Sequence, residues 1–263
     1  EKTSLVVAIC LDCTMPSQEA LEIGNAFGWA GTVFTFVYFL SPVPTCMTVV
    51  KSQTVQEFSA FPYAMGVFNC SCWVYYCASI MALSSQDLTP NLLVNGIGAL
   101  MFFCYVVIFL IYAGSRKSSI LRLVITAISA ELLLIAFCEG VAPKLHSSFN
   151  WAHSPSLKCS IIGLTCVVMN VLLYGSPLSV MCMVIQTRSV KYMPLPMSVL
   201  TFVICILWST QAVLIDDMTV GIPNFCGIVL GVAQLVLYAF YCKESQCEDS
   251  RDLMMSSVST PVP

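Results

Sequence analysis

Charge is what this sequence has least of. Only 10% of its 263 residues are Asp, Glu, Lys or Arg, against roughly 25% in soluble globular domains, which all but excludes a water-soluble globular fold. The eleven Lys and Arg form no basic run, and the net charge is −3, so nothing invites nucleic acid. Histidine is nearly absent. His146 and His153 have no Cys or Glu at metal-ligand spacing, so no metal is expected. Cys10-x-x-Cys13 is a lone pair with no second pair at zinc spacing. No hydrolytic constellation is present, so the chain is read as no enzyme, and no cofactor is expected. The fifteen cysteines do not make a disulfide scaffold. Most sit inside apolar runs, where Cys behaves as a small hydrophobe.

Long apolar runs are what is there. Hydrophobic residues make up 58% of the chain and the mean hydropathy is +0.86. Seven runs are near or above the roughly 20 residues that span a bilayer. They extend from Ile23 to Leu40, Tyr63 to Leu83, Leu92 to Ala113, Ile120 to Cys138, Cys159 to Ile185, Met197 to Ile215 and Ile222 to Cys242. In lipid each must close its own backbone hydrogen bonds, so helices are predicted. Lys51, Arg116, Lys117, Arg122, Arg188, Lys191, Lys243 and Arg251 fall on one side, and Lys2, Lys144 and Lys158 on the other. That positive-inside bias places the N-terminus outside or in a lumen and the C-terminus in the cytosol. Residues 1–22 read as a tail, and 243–263, polar with Ser and Pro, as a disordered cytosolic one.

The sequence repeats itself. Ser41-Pro42 matches Ser176-Pro177 at an offset of 135, and Trp73 matches Trp208 at the same offset. Asn95-x-x-Gly98 matches Asn224-x-x-Gly227 at 129, as Tyr112 matches Tyr241. Runs 1–3 therefore recur as runs 5–7, with the fourth unpaired. Three spans reverse the chain's side and the fourth restores it, so the repeats are parallel. The expected fold is an all-α membrane protein of seven transmembrane helices. Two three-helix bundles, 23–113 and 157–242, are joined by a linker helix and loop at 114–156. Transporters built this way place substrate near the midplane between repeats.

Pro42, Pro62, Pro177 and Pro194 form two related pairs. Proline kinks a helix interior but is tolerated at a helix start. Pro62 and Pro194 fall where spans begin, whereas Pro42 and Pro177 have apolar sequence on both sides and read as hinges. Asn95 and Asn224 sit in apolar runs and need a protein partner or a wet cavity. A helix–helix hydrogen bond would satisfy each; as a symmetric pair they also suit a pathway that takes a neutral polyhydroxyl ligand. Trp73 and Trp208, near mid-depth, fit either core packing or the C–H face of a sugar ring. Asn170, two turns before Pro177 and paired by the repeat with Thr35, is a weaker pathway candidate. Outside the fourth run no span carries Asp, Glu, Lys, Arg or His. Ion-coupled carriers usually need such a group, so passive uniport is expected; a retinal-type pump, which needs a Lys in a span, is excluded. Glu131 in the fourth run is the exception. It is read as a helix or oligomer contact, with proton coupling as the alternative. Asn69-Cys-Ser is formally a glycosylation triplet, but it lies within the second run.

Ser41-Pro42-x-Pro-Thr45, Lys51-Ser-x-Thr-Val55 and Phe58-Ser-x-x-Pro62-Tyr63 resemble the first repeat of the SWEET sugar transporters. Tyr174-Gly-Ser-Pro177-Leu178, Thr187-Arg-Ser-Val190, Met193-Pro194, Pro223-Asn224 and Gln234-x-x-x-Tyr238 resemble the second, and the likeness spans residues 24 to 242. The resemblance implies bidirectional sugar movement by alternating access. Asn95 and Asn224 fall on sugar-binding positions, Trp208 on a sugar-stacking one, and Trp73 on its counterpart, where members vary. The four prolines fall on a hinge tetrad. Tyr76 and Asp217 fall on residues that close the extracellular side. The chain departs from the pattern at Cys46, Cys182, Cys77 and Gln211; Gln211 stands where the second repeat's match to Tyr76 would carry Tyr. Trp at both 73 and 208 implies a small pocket, hence a monosaccharide such as glucose rather than sucrose. The resemblance also implies a homo-oligomer. The plasma membrane is the expected site, with a vacuolar or other internal membrane as alternative. A seven-helix receptor would lack the repeat. A non-transporting scaffold or trafficking protein of the same architecture is the remaining rival.

Overall fold

The computed structural model describes residues 16–84, 86–142, 144, 157–190 and 193–258, and the backbone alone for 175, 176 and 243–258. Cys10, Cys13, His146, His153 and Lys191 lie outside the described residues. Nine α-helices are described, with a 3-10 turn at Gly114–Arg116: α1 (Gln18–Phe39), α2 (Val43–Ser52), α3 (Phe61–Leu83), α4 (Thr89–Ile111), α5 (Lys117–Gly140), α6 (Leu157–Leu173), α7 (Gly175–Thr187), α8 (Leu195–Leu214) and α9 (Met218–Val258). They compose seven spans long and apolar enough to cross a membrane, α1 with α2 making the first and α6 with α7 the fifth. Among the described residues there is no strand and no disulfide.

Two ends differ from the hydropathy reading. α1 starts at Gln18, inside the expected tail, because the Ser17 hydroxyl accepts the Ala20 N–H at 3.1 Å and caps the helix. A polar first turn is invisible to an apolar count. At the other end, the backbone stays helical through residues 243–258, where a disordered tail is expected. That stretch contains no Gly or Pro to stop it.

The repeat is visible in the packing. α3 lies on α4 as α8 lies on α9; α1 lies on α4 as α6 lies on α9; α2 and α7 hold the matching places beside α4 and α9. Between repeats, α1 packs on α8 and α3 on α6. These two contacts are one contact taken in both directions, which is what a two-fold relation between the units requires. The linker α5 touches α3, α4 and α6.

Close packing repeats as well. A Cβ at Gly98 would lie 2.5 Å from the Phe39 ring and 3.0 Å from Cys70 Sγ. One at Gly227 would lie 2.4 Å from Cys205 Sγ and 2.7 Å from Tyr174 Oη. The repeat offsets pair these residues one for one. Gly66 under Phe102 has its complement in Gly231 under Phe202, with glycine and ring exchanged between the helices. The large side chains on the bundle's outside, such as Val33, Leu133, Leu172 and Phe240, are those that would face lipid.

Candidate functional site between the repeats

The bundle's upper end is taken as that where α1, α4, α6 and α9 begin and α3, α5 and α8 finish. The lower end carries α2 and α7.

Both hinge candidates sit at breaks. The chain from Leu40 to Pro42 leaves the α-helix, and the N–H groups of Leu40, Ser41 and Val43 reach back only three residues. Tyr174 interrupts α6 and α7 in the same way, with Pro177 in the first turn of α7. Pro62 is in the first turn of α3, and Pro194 immediately precedes α8 in extended geometry. Pro42 and Pro177 thus lie within spans, and Pro62 and Pro194 start them.

Asn95 and Asn224 occupy the same position, six residues after the first residue of α4 and of α9. Each donates one amide N–H to the carbonyl four residues back, Asn91 and Val220, at 2.8 Å in both cases. This local bond replaces the helix–helix bond weighed above. It steadies the side chain and leaves a second N–H and the amide oxygen of each half-buried residue for a ligand. Asn170 does likewise with the Cys166 carbonyl at 3.0 Å.

Trp73 and Trp208 are both 7% exposed, mid-helix in α3 and α8. The Trp208 indole N–H donates to Thr35 Oγ1 on α1 at 3.0 Å, and its ring covers Gly31. Trp73 meets Tyr76 edge-on, with ring centroids 5.7 Å apart. Cys77, beside Tyr76, is fully buried.

The upper end is latched. The Tyr76 hydroxyl on α3 donates to the Asp217 carboxylate, 3.0 and 3.1 Å from its two oxygens, joining residues 141 positions apart. Asp217 is 5% exposed and also accepts the N–H groups of Thr219 and Val220 at 3.0 and 3.2 Å, which caps α9. Burial pushes its carboxyl above the usual carboxylate range, although the bonds from Val220, Tyr76 and Thr219 pull the other way.

Sequence reasoning missed several cross-links. Gln86 reaches the Ile215 carbonyl at 3.0 Å, a second tie across the repeats at the upper end. Tyr75 on α3 donates to Glu139 on α5 at 2.5 Å; Lys158 on α6 pairs with the same carboxylate and lies 5.1 Å from the Tyr75 ring centroid. No spacing rule marks this three-element clasp. The Gly24, Gly28 and Gly31 stripe was missed too, although its four- and three-residue steps are the signal that could have found it. It lies under Ile215, Gln211 and Trp208 of the α8 end, one side chain per turn. Glu131 is half-buried on α5, which packs on α3. Asn69 is buried in α3, out of reach of glycosylation.

A seven-span helical protein of two parallel three-helix repeats packed on one another has the architecture of a membrane carrier. The family model described as "Sugar efflux transporter for intercellular exchange" matches residues 25–117 and again 160–246. The bidirectional sugar transporter SWEET4 of Oryza sativa subsp. indica is 37% identical over 224 residues, 85% of this chain and 82% of its own. SWEET7 of Arabidopsis thaliana is 36% identical over 220 residues, 83% and 81% of the two chains. Among solved structures, that of a eukaryotic SWEET transporter at 3.7 Å superposes with a TM-score of 0.75 at 27% identity, covering 86% of this chain and all of that one. The chain belongs to the SWEET family, whose members are transporters and not enzymes.

Proposed function

We propose that this protein is a facilitative, bidirectional sugar carrier for a monosaccharide such as glucose. The observation that supports it most is the symmetric pair Asn95 and Asn224. Each stands at the same helical position, held by the same local bond, and keeps one donor and one acceptor for a ligand. That pairing suits the hydroxyl groups of a neutral sugar, with Trp73 and Trp208 as apolar walls and Asn170 at the margin. The upper end is the extracellular side, as the Lys and Arg distribution implies. The Tyr76–Asp217 bond is then the outer gate in its closed state. The breaks at Pro42 and Pro177, with Pro62 and Pro194, are the hinges about which the repeats rock. The carrier works in the plasma membrane, as a homo-oligomer with one path in each protomer.

Labelled glucose in proteoliposomes containing only this chain tests the reading. Glucose should equilibrate in both directions, and the end point should be the same with and without an imposed pH gradient. Glu131→Gln should leave that end point unchanged, because α5, which carries it, is the linker packed on α3 and not a member of either repeat. Accumulation above equilibrium that is lost in Glu131→Gln would overturn uniport in favour of proton coupling. Absence of flux from folded protein would favour the scaffold reading. Paired uptake of glucose and sucrose tests the pocket. Wild type should carry glucose and little sucrose, and Trp73→Ala should raise sucrose uptake severalfold. Equal uptake of both sugars by wild type would defeat the volume argument.

A further inference from the structure

Gln211 is the second repeat's counterpart of Tyr76, yet it does nothing comparable. It lies three residues after Trp208, one turn nearer the upper end on the same face of α8. Its side chain is fully buried, and neither amide atom has a protein hydrogen-bond partner. It points into the α1–α8 seam, where a Cβ added to Gly28 would lie 2.3 Å from Gln211 Nε2. Two more side chains near this end each carry an unpartnered amide oxygen. Asn91 is 4% exposed with an unpartnered Oδ1, and Asn25, whose Nδ2 donates to Asp87 at 3.2 Å, has an unpartnered Oδ1 as well. Pro90, next to Asn91, lies 3.2 Å from the same added Cβ at Gly28, so α4 and α8 meet over one turn of α1.

The unpaired Gln211 amide, with its N–H donors and its oxygen, and the unpaired oxygens of the two asparagines complement a hydroxyl group, which donates once and accepts twice. We propose that Gln211, with Asn25 and Asn91, is a hydroxyl-binding subsite of the outer gate, filled by water or by a sugar hydroxyl when the α1–α8 seam opens. The proposal rests on the outer-gate reading of Tyr76 and Asp217. The two limbs of the gate then act in opposite senses. Tyr76 gains its hydrogen bond on closure, whereas Gln211 gains its partners on opening. A buried amide that lacks a partner disfavours the state that buries it. Gln211 therefore raises the share of the outward-open state, and an apolar residue of similar shape should lower it.

Hydrogen–deuterium exchange of the full chain in lipid nanodiscs tests this, read at the backbone amides of 24–31 and 208–215, with and without glucose. In Gln211→Met and in Gln211→Leu, exchange there should slow by about tenfold, the scale set by one buried, unpaired polar group. Gln211→Asn keeps an amide and should stay close to wild type. Unchanged or faster exchange in both apolar variants overturns the proposal, as does equal slowing in Gln211→Asn. If the hydroxyl is the sugar's, glucose widens the gap between wild type and Gln211→Met. If it is water's, the gap is the same in both conditions. Tyr76→Phe tests the gate reading separately. Should it fail to speed exchange, that reading falls, whatever Gln211 does.

Discussion

Asn95→Ala and Asn224→Ala should each lower glucose flux by about ten- to a hundredfold, with folded protein still reaching the membrane. The amide of each offers a bound sugar one donor and one acceptor once its other N–H is held by the helix. Two hydrogen bonds lost from a site shielded from water are worth about 1.4–2.8 kcal/mol together, which gives that range. Alanine also favours the helix more than asparagine does, and the bond it deletes is local. Stability should therefore hold or rise while flux falls, a separation that a packing defect would not produce. The double variant should show the product of the two effects if each asparagine contacts the sugar independently. Glucose flux and thermal stability measured on the same purified protein decide the matter. Flux that survives both substitutions would remove the pair from the path.

Much of this was legible because the chain repeats itself. The offsets that pair Pro42 with Pro177 and Asn95 with Asn224 also pair Phe39, Cys70 and Gly98 with Tyr174, Cys205 and Gly227, whose contacts are duplicated in three dimensions. Seven spans followed from run length alone. Spacing could not show what crosses between the repeats. The Tyr76–Asp217 bond joins a helix interior to a turn 141 residues away, and only family resemblance put the two together. Tyr75, Glu139 and Lys158 lie on three different elements and share no periodicity. Gln211 could be recognised as a departure from Tyr, but not as a sealed and unpaired amide. Burial of a polar group depends on the opposing helix, here Gly28 on α1, and on nothing within its own run. The start of α1 escaped for the reverse reason. Its cap is local but polar, so a count of apolar residues passes over it.

Asp217→Ala and Asp217→Asn should part company. Alanine removes the acceptor for the Tyr76 hydroxyl and for the N–H groups of Thr219 and Val220, so the latch and the α9 cap fail together. A lost cap alone costs about 1 kcal/mol, and the charged hydrogen bond adds about 1.5–3 kcal/mol. The outer end should then fail to close, and flux, which needs both states, should fall more than tenfold. Asparagine keeps an acceptor oxygen and removes the buried charge, so its latch should persist. The same reasoning fixes the sign of a pH effect. Burial holds the Asp217 carboxyl above its usual range while the end is shut, and hydration returns it toward the ordinary value when the end opens. The closed state therefore binds the proton more tightly. It gains stability as pH falls through the raised value and loses that gain at higher pH. Acidifying the outer solution should slow outward opening in wild type and leave Asp217→Asn unaffected, while the equilibrium distribution of sugar stays the same. Exchange at residues 208–215 against outer pH reads this directly. Opening promoted by acid would mean that the ionised carboxylate, held by Tyr76 and the α9 N–H groups, is the stronger latch, and the desolvation argument would fail.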